Sequence, residues 1–586
     1  MRRYFLVADT QSSTAESPPA HKNVDFRWGV RIPMRDGVEL NATLYRPRGE
    51  EATPAIFTLT PYIADSYHER AFHFAQHGYA FLLVDCRGRG NSGGQFEPFV
   101  NEGRDGYDVV EWLAAQNWCN GTVTMWGGSY AGFDQWMTLK ESPPHLKTIV
   151  PAASVHVAVD FPFFKNISYP YTIQWLTFTS GLTGNPNLFG EHEFWVEKFC
   201  ELYLDHRPFK ELDQVIGNSS TVFQTWIEHP APDAYWDQMA LTPDEYDGIE
   251  IPILTITGHY DGDQPGAFHY YRQHMRSASP ARETHYLVVG PWDHAGTRTP
   301  RKEIGGLTFG EASLVDLNKL HREWYDWTLK DGEKPEFLKG RVAYYVMGAD
   351  EWKYADSLEE IASETRRLYL DSRHGEANDV FRSGSLVDSP PAGSQPDEYT
   401  YDPLDVRPAE IEREELENQL TDQRDALNLF GNGLVYHSEP FAEDTEVSGV
   451  VRLVAWMAID APDIDFQATL SEILLDGSSV FLTRDMVRAR YRESLREEKL
   501  VTPGEINRYE FDSFTFFSRL IAKGSRLRLV LTSPNSIYVQ KNYAGGGVVA
   551  EESRTDAHLV RVTLYHDSDH PSHLDLPLVR SKEESG

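Results

Sequence analysis

The stretch Trp126-Gly127-Gly128-Ser129-Tyr130-Ala131-Gly132 sets a serine among small residues. It lies between a β-branched, aromatic run, Thr122 to Trp126, and a segment, Phe133 to Leu139, that can continue as a helix. A sharp strand-to-helix turn exposes a serine hydroxyl at the helix N-terminus, where the next backbone N–H, that of Tyr130, faces an oxyanion forming on an attacked carbonyl. The chemistry such a turn serves is acyl transfer. The match is G-x-S-x-x-G, with Ala131 where the commoner G-x-S-x-G has glycine. Serines also occur in glycine-rich turns without chemistry, so this motif does not decide the matter alone.

A serine hydroxyl is a weak nucleophile near neutral pH and needs a base, itself oriented by a third group. The chain supplies both further on. Gly258-His259-Tyr260-Asp261-Gly262 follows the apolar run Ile253 to Thr257, and Gly290-Pro291-Trp292-Asp293-His294 follows Tyr286 to Val289. The order serine, acid, histidine is that of the α/β-hydrolases, and loops after parallel strands share one edge of an open sheet. His269 and His274 fall outside the pattern and read, with His259, as structural.

The elements that must position these groups are legible as short apolar runs. Asp36-Gly37 between Gly29–Met34 and Val38–Tyr45 signals a hairpin. Ala55 to Leu59 and Tyr79 to Asp85 suit parallel strands covered on both faces, with helices expected over His68 to His77 and Gly103 to Gln116. This alternation predicts a doubly wound sheet. Gly88-x-Gly90-x-x-Gly93 satisfies the dinucleotide fingerprint, but Gly94 to Pro98 continues as loop where a helix must open, so it reads as a structural turn. From about 156 to 248 the sheet pattern lapses into an aromatic-rich, helical stretch, expected to cap the catalytic edge and to place some aromatics, Phe163 and Trp175 among them, on the substrate. After a helix over Ser313 to Lys330 the text turns to β: Val342 to Met347, Arg367 to Leu370, Val447 to Ala458, Ala468 to Leu475 and Leu527 to Leu531 predict a β-sandwich, with surface loops over 371 to 425. The expected divisions are a flexible arm over 1–22, an α/β catalytic unit over 23–155 and 249–335, a helical cap over 156–248, and a β-sandwich over 336–586.

The 586 residues, 40% hydrophobic and 25% charged, are those of a large globular protein with no apolar run of bilayer-spanning length. A formal charge of −34 speaks against nucleic acid as a partner. No membrane partner and no secretory leader are expected, and the reading is cytoplasmic. Cys86, Cys119 and Cys200 are too few for a disulfide framework and lack metal spacing. The basic cluster Arg484 to Arg496, interleaved with acids, reads as a solvated, salt-bridged surface. A homo-oligomer is compatible with the sequence.

Gly127 to Gly132, Tyr260-Asp261-Gly262, Gly290 to His294 and the earlier Asp85-Cys86-Arg87-Gly88-Arg89-Gly90-Asn91-Ser92-Gly93 resemble the cocaine esterase and X-Pro dipeptidyl-peptidase group of serine hydrolases, with its relatives the α-amino acid ester hydrolases and glutaryl acylases. The resemblance covers about 25 to 580. It implies an α/β-hydrolase domain with an inserted helical cap and a C-terminal jelly roll, and a small ester or amide as substrate, with neither metal nor cofactor. Position by position it implies Ser129 as nucleophile, His294 as base and acid, Asp261 as the residue orienting His294, and Tyr62, in Thr60-Pro61-Tyr62, as the hydroxyl completing an oxyanion hole beside the Tyr130 N–H. Asp263 stands where the α-amino ester hydrolases carry an acid of their amine-binding cluster. The next member is replaced by Gln264, and Asp160 is a candidate for the third. The alternative for Asp263 is an N-cap of the helix from Pro265 to His274. Carboxylic ester hydrolysis is thus the leading expectation. X-Pro dipeptidyl-peptidase or α-amino acid ester hydrolase and acylase activity are the alternatives, and a carbohydrate-binding protein with an inactive hydrolase fold is the non-enzymatic one.

Overall fold

Each continuous apolar run before residue 350 becomes a strand buried on both faces. In the computed structural model, which describes residues 23–580 apart from 50, 374–375, 392, 394 and 415–417, these are β1 (Val24–Pro33), β2 (Glu39–Pro47), β3 (Thr53–Thr60), β4 (Ala80–Asp85), β5 (Cys119–Met125), β6 (Gly127–Ser129), β7 (Leu146–Thr148) and β8 (Pro151–Ser154). The arm expected over 1–22 lies outside the described residues. β1 and β2 form the expected hairpin, with Gly37 at φ +87° in the turn.

One sheet runs β1-β2-β4-β3-β5-β7, and a second starts at β6 and β8 and continues through Ile253–Tyr260, His285–Asp293, Val342–Val346 and Glu351–Ala355. Only Trp126 separates β5 from β6, and only Ile149-Val150 separates β7 from β8, so the two sheets are halves of one. β2 is antiparallel to both neighbours, and the strands from β4 to Val342–Val346 are parallel. Helices α1 (His68–Gln76), α2 (Glu102–Ala114) and α3 (Tyr130–Lys140) pack on this sheet, as do Gln264–Arg276 and Leu317–Leu329. The parallel order carries the loops after β6, Ile253–Tyr260 and His285–Asp293 to one edge.

Val342 to Met347, expected to open the sandwich, instead pairs in parallel with His285–Asp293. Its five strand residues are all buried, and a run apolar on both faces fits a central parallel strand as readily as a sandwich strand, so composition could not choose. The remaining β part forms a hydrogen-bonded set of thirteen strands among the described residues, around a core including Leu368, Leu453, Phe466, Leu529, Val562 and Leu576. Two expectations fail here. The stretch 371–425 is not loop alone, since it contains strands Gly384–Val387 and Asp397–Tyr401 and the helix Pro408–Glu412. The cluster Arg484 to Arg496 is not solvated throughout. Arg488 and Arg490 are buried against Asp465 and Asp463, each pair at 2.8 Å, because the partner acids arrive on a neighbouring segment about 25 residues earlier.

The cap over 156–248 contributes α4 (Tyr171–Phe178) and further helices including His192–Leu204 and Thr221–Glu228. Its aromatics serve mostly as core. Phe161, Phe163, Trp175, Trp195, Phe199, Phe223 and Trp226 are buried in the cluster that also contains Val109, Tyr130 and Phe133 from beneath the sheet edge. Fully burying an apolar side chain of this size contributes roughly 1.5–3 kcal/mol, which anchors the cap to α2 and α3. All three cysteines are buried and unpaired. Among the described residues no helix is long and apolar enough to cross a membrane.

Candidate active site

Ser129 ends β6 at φ +62°, ψ −126°, a backbone region that L side chains rarely adopt, and α3 begins at Tyr130. The small neighbours allow this turn. A Cβ on Gly127 would lie 2.6 Å from Ala131 Cβ, one on Gly128 2.8 Å from Ala152 O, and one on Gly132 3.0 Å from the same oxygen. Ala131 can thus replace the usual glycine because Gly127 opposite it has no side chain. As the first residue of α3, Tyr130 has no intrahelical partner for its N–H, which leaves that donor free for an anion.

Asp261 and His294 come together from their two loops. Asp261 Oδ1 accepts from His294 Nδ1 at 2.8 Å, and its other oxygen accepts from Thr257 Oγ1 at 2.9 Å. Donation from Nδ1 leaves Nε2 as the unprotonated nitrogen of the neutral ring. The Asp261 side chain is inaccessible to solvent, whereas the imidazole keeps 40% of its surface exposed. Burial disfavours ionised Asp261, but the charge and hydrogen bond of His294 outweigh it and hold the carboxyl below its ordinary value. For His294, burial opposes the charged ring. The carboxylate of Asp263, 3.7 Å from Nδ1, acts against burial together with Asp261, and the His294 pKa ends above its ordinary value. Among the described residues no hydrogen bond joins Ser129 Oγ to His294, a bond that in unliganded hydrolases often tightens only around substrate.

The Tyr62 hydroxyl lies against Ser129, bonded to its side chain and to the Trp175 indole N–H at 3.0 Å. The turn that mimics a dinucleotide fingerprint holds the Tyr62 segment in place. Asp85 Oδ1 accepts from Ala64 N at 2.8 Å, and buried Arg89 donates to Pro61 O at 2.8 Å and to Thr179 O at 2.7 Å. No helix follows that turn until Glu102. The role of Arg89 was not readable from sequence, because its partners are backbone carbonyls of two distant loops.

The remaining candidates divide. Asp263 occupies the N-cap position of helix Gln264–Arg276, but its side chain makes no capping bond, so the N-cap reading is corrected. Asp160 takes that role instead, accepting from Gly266 N at 2.6 Å and His156 N at 2.8 Å. Its two oxygens are occupied by backbone donors and its side chain is buried. Gln264 bridges to the β part, accepting from Phe516 N at 2.7 Å and donating to Gly258 O and Phe516 O. Phe163 packs edge-on against Trp236, 5.8 Å between rings. His274 pairs with His285 and Ser279, and His259 accepts from Ser518 N, so both are structural. His269 packs on His156.

A strained serine between a hydroxyl donor and a free helix-terminal N–H, on the sheet edge where an aspartate-bound histidine arrives, is the site of an α/β-hydrolase that works through a serine. Residues 36–296 match the family model described as X-Pro dipeptidyl-peptidase (S15 family), and residues 337–575 match that of the X-Pro dipeptidyl-peptidase C-terminal non-catalytic domain. The chain belongs to this family of serine hydrolases, which includes the cocaine esterases. It is 28% identical to cocaine esterase of Rhodococcus sp. (strain MB1 Bresler), over 95% of this chain and 99% of that one. Two solved structures share the whole fold, each covering 98% of this chain and 99% of its own. They are an aminopeptidase from the marine sediment archaeon Thaumarchaeota archaeon (21% identity, TM-score 0.81) and an α-amino acid ester hydrolase (22%, 0.80). The non-enzymatic expectation, an inactive fold binding carbohydrate, falls with this membership.

Proposed function

We propose that the protein hydrolyses carboxylic esters of small molecules through an acyl-enzyme on Ser129. His294 removes the serine proton as Oγ attacks the carbonyl carbon, and Asp261 steadies the imidazolium that results. The Tyr62 hydroxyl and the Tyr130 N–H take up the negative charge on the carbonyl oxygen. Collapse breaks the bond to the leaving alcohol, which receives its proton from His294. A water molecule, deprotonated in turn by His294, then releases the acid. The observation that carries this reading is the strained Ser129 elbow with the Tyr62 hydroxyl against it and His294 bound to Asp261 on the same sheet edge. The catalytic unit in this reading comprises 23–155 and 249–355, with 156–248 as cap. Three unpaired, buried cysteines support a cytoplasmic location.

Incubation with a nitrophenyl butyrate, an α-amino acid methyl ester and a Gly-Pro anilide tests the substrate class. Fast turnover of the first and a fluorophosphonate adduct mapped to Ser129 by mass spectrometry are expected. Exclusive cleavage of the anilide would move the assignment to the peptidase reading.

The raised His294 pKa sets the pH dependence. Only the neutral ring is a base, so kcat/KM should fall as pH drops, through an apparent pKa above the ordinary imidazole value of about 6.5. Asp263→Asn removes a charge that favours the imidazolium, and the acidic limb should move to lower pH. Profiles of both proteins from pH 5 to 9 check this, and superimposable limbs would dissociate Asp263 from the base.

One observation favours a second specificity, toward α-amino esters: the Asp263 carboxylate makes no capping bond and leans toward the catalytic histidine. A carboxylate there can pair with a substrate ammonium, a charge-assisted contact worth about 1.5–3 kcal/mol, or roughly 10- to 150-fold in kcat/KM. Asp263→Asn should then depress hydrolysis of phenylglycine methyl ester by that factor while sparing nitrophenyl butyrate. Equal losses on the two esters would rule out amine recognition.

A further inference from the structure

Trp175 was expected to line the substrate pocket, and the structure gives it different work. It is buried on α4, its ring stacked on Tyr130 (5.6 Å, 21°) and on Phe99 (5.8 Å, 19°). Its indole N–H, a donor with no acceptor capacity, points to the Tyr62 oxygen at 3.0 Å. The same helix holds the Tyr62 ring, since Phe178 stacks on it at 5.7 Å and 19°. At the C-terminal end of α4, Thr179 O and, across the loop, Pro61 O are both bound by Arg89, which ties the helix to the residue preceding Tyr62. The ring, the hydroxyl and the backbone of the Tyr62 segment are therefore all fixed by one cap helix.

We propose that Trp175 is a positioning residue of the oxyanion hole: by donating to the Tyr62 oxygen it leaves the single Tyr62 proton to point at the oxygen of the attacked carbonyl. A phenol hydroxyl has one proton and can rotate it. With a lone pair already engaged by the indole, the rotamer that aims the proton toward Trp175 is excluded, and the hydroxyl is preset for the transition state rather than reoriented during it. The indole N–H also polarises the phenol, which makes it a stronger donor. The cap helix is then part of the catalytic geometry rather than only a cover.

This inference rests on the reading of Tyr62 as an oxyanion donor, and a double-mutant cycle separates the two. Trp175→Phe keeps an aromatic ring in the stack and removes the N–H. In the wild-type background it should lower kcat for nitrophenyl butyrate about 3- to 10-fold with KM little changed, the size of one neutral hydrogen bond. In a Tyr62→Phe background, where no hydroxyl remains to be oriented, the same substitution should change kcat less than 2-fold, roughly. Equal losses in both backgrounds, or an unchanged kcat in the wild-type background, would overturn the role of Trp175. An unchanged kcat for Tyr62→Phe alone would instead overturn the donor role of Tyr62, and with it the proposal. Thermal unfolding of each variant verifies the fold. If Trp175→Phe does not fold, replacing the indole by its benzothiophene isostere, which exchanges N–H for S in the same shape, gives the same comparison with packing preserved.

Discussion

Ser129→Ala is expected to lose essentially all ester hydrolysis, on the order of 10⁴-fold or more in kcat, because the members of a nucleophile–base–acid unit are not individually dispensable. His294→Ala should fall to a similar residual rate, and the double variant should be scarcely worse than either. The residue carries a second, separable expectation. Ser129 sits at φ +62°, where any side chain is strained by roughly 1–3 kcal/mol, so Ser129→Gly should be as inactive as the alanine variant yet unfold at a higher temperature than it. Calorimetry on the two inactive proteins reads the difference directly. Substantial turnover by purified Ser129→Ala would sink the assignment of the nucleophile, and a glycine variant less stable than the alanine one would show that the elbow is not strained.

The second large effect is expected at Tyr62. Tyr62→Phe keeps the ring on Phe178 and removes only the hydroxyl, so the protein should fold with the wild-type unfolding temperature or close to it. Its kcat should fall on the order of 10²- to 10³-fold, the cost of losing one oxyanion donor, about 2.7–4 kcal/mol. The remaining donor, the Tyr130 N–H, belongs to the backbone and cannot be deleted by substitution. The loss should lie in kcat rather than KM, because the negative charge exists only in the transition state and not in the bound ester. Steady-state kinetics on nitrophenyl butyrate distinguish the two, and a loss confined to KM would recast Tyr62 as a ground-state contact.

The catalytic order was readable in the sequence for a physical reason. A parallel strand buried on both faces is a continuous apolar run, and the loop after it must carry whatever the sheet edge presents, so Ser129, Asp261 and His294 each announce themselves by position. The central alternation of strands and helices followed from the same patterning. What stayed hidden depended on tertiary partners. Asp263 looked like an N-cap because the sequence shows only the helix that follows it. It could not show that Asp160, over a hundred residues earlier, supplies the bond to Gly266. Trp175 looked like a substrate contact because an aromatic in a cap has no sequence signature for a hydrogen-bond donor aimed at a tyrosine. Arg488 and Arg490 looked solvated because their charges were weighed against neighbours in the chain, not against Asp465 and Asp463 on the facing segment. Strands of the β part were also missed between 384 and 401, where polar residues alternate on an exposed face.

The bonds that cross between the β part and the rest of the molecule bear on how the chain can be divided. Gln264, three residues after Asp261, is held on Phe516. Arg488, buried against Asp465, reaches Asn166 O in the cap at 2.7 Å, and Lys165 meets Asp512 at 2.6 Å. A piece of the chain ending before the β part would leave the acid-bearing loop without its clamp and the cap entrance without its anchor, although every proposed catalytic side chain would still be present. The chemistry is thus written in the first half of the polypeptide and held in shape by the second. The unit on which selection, or a designer shortening the enzyme, can act is the whole chain.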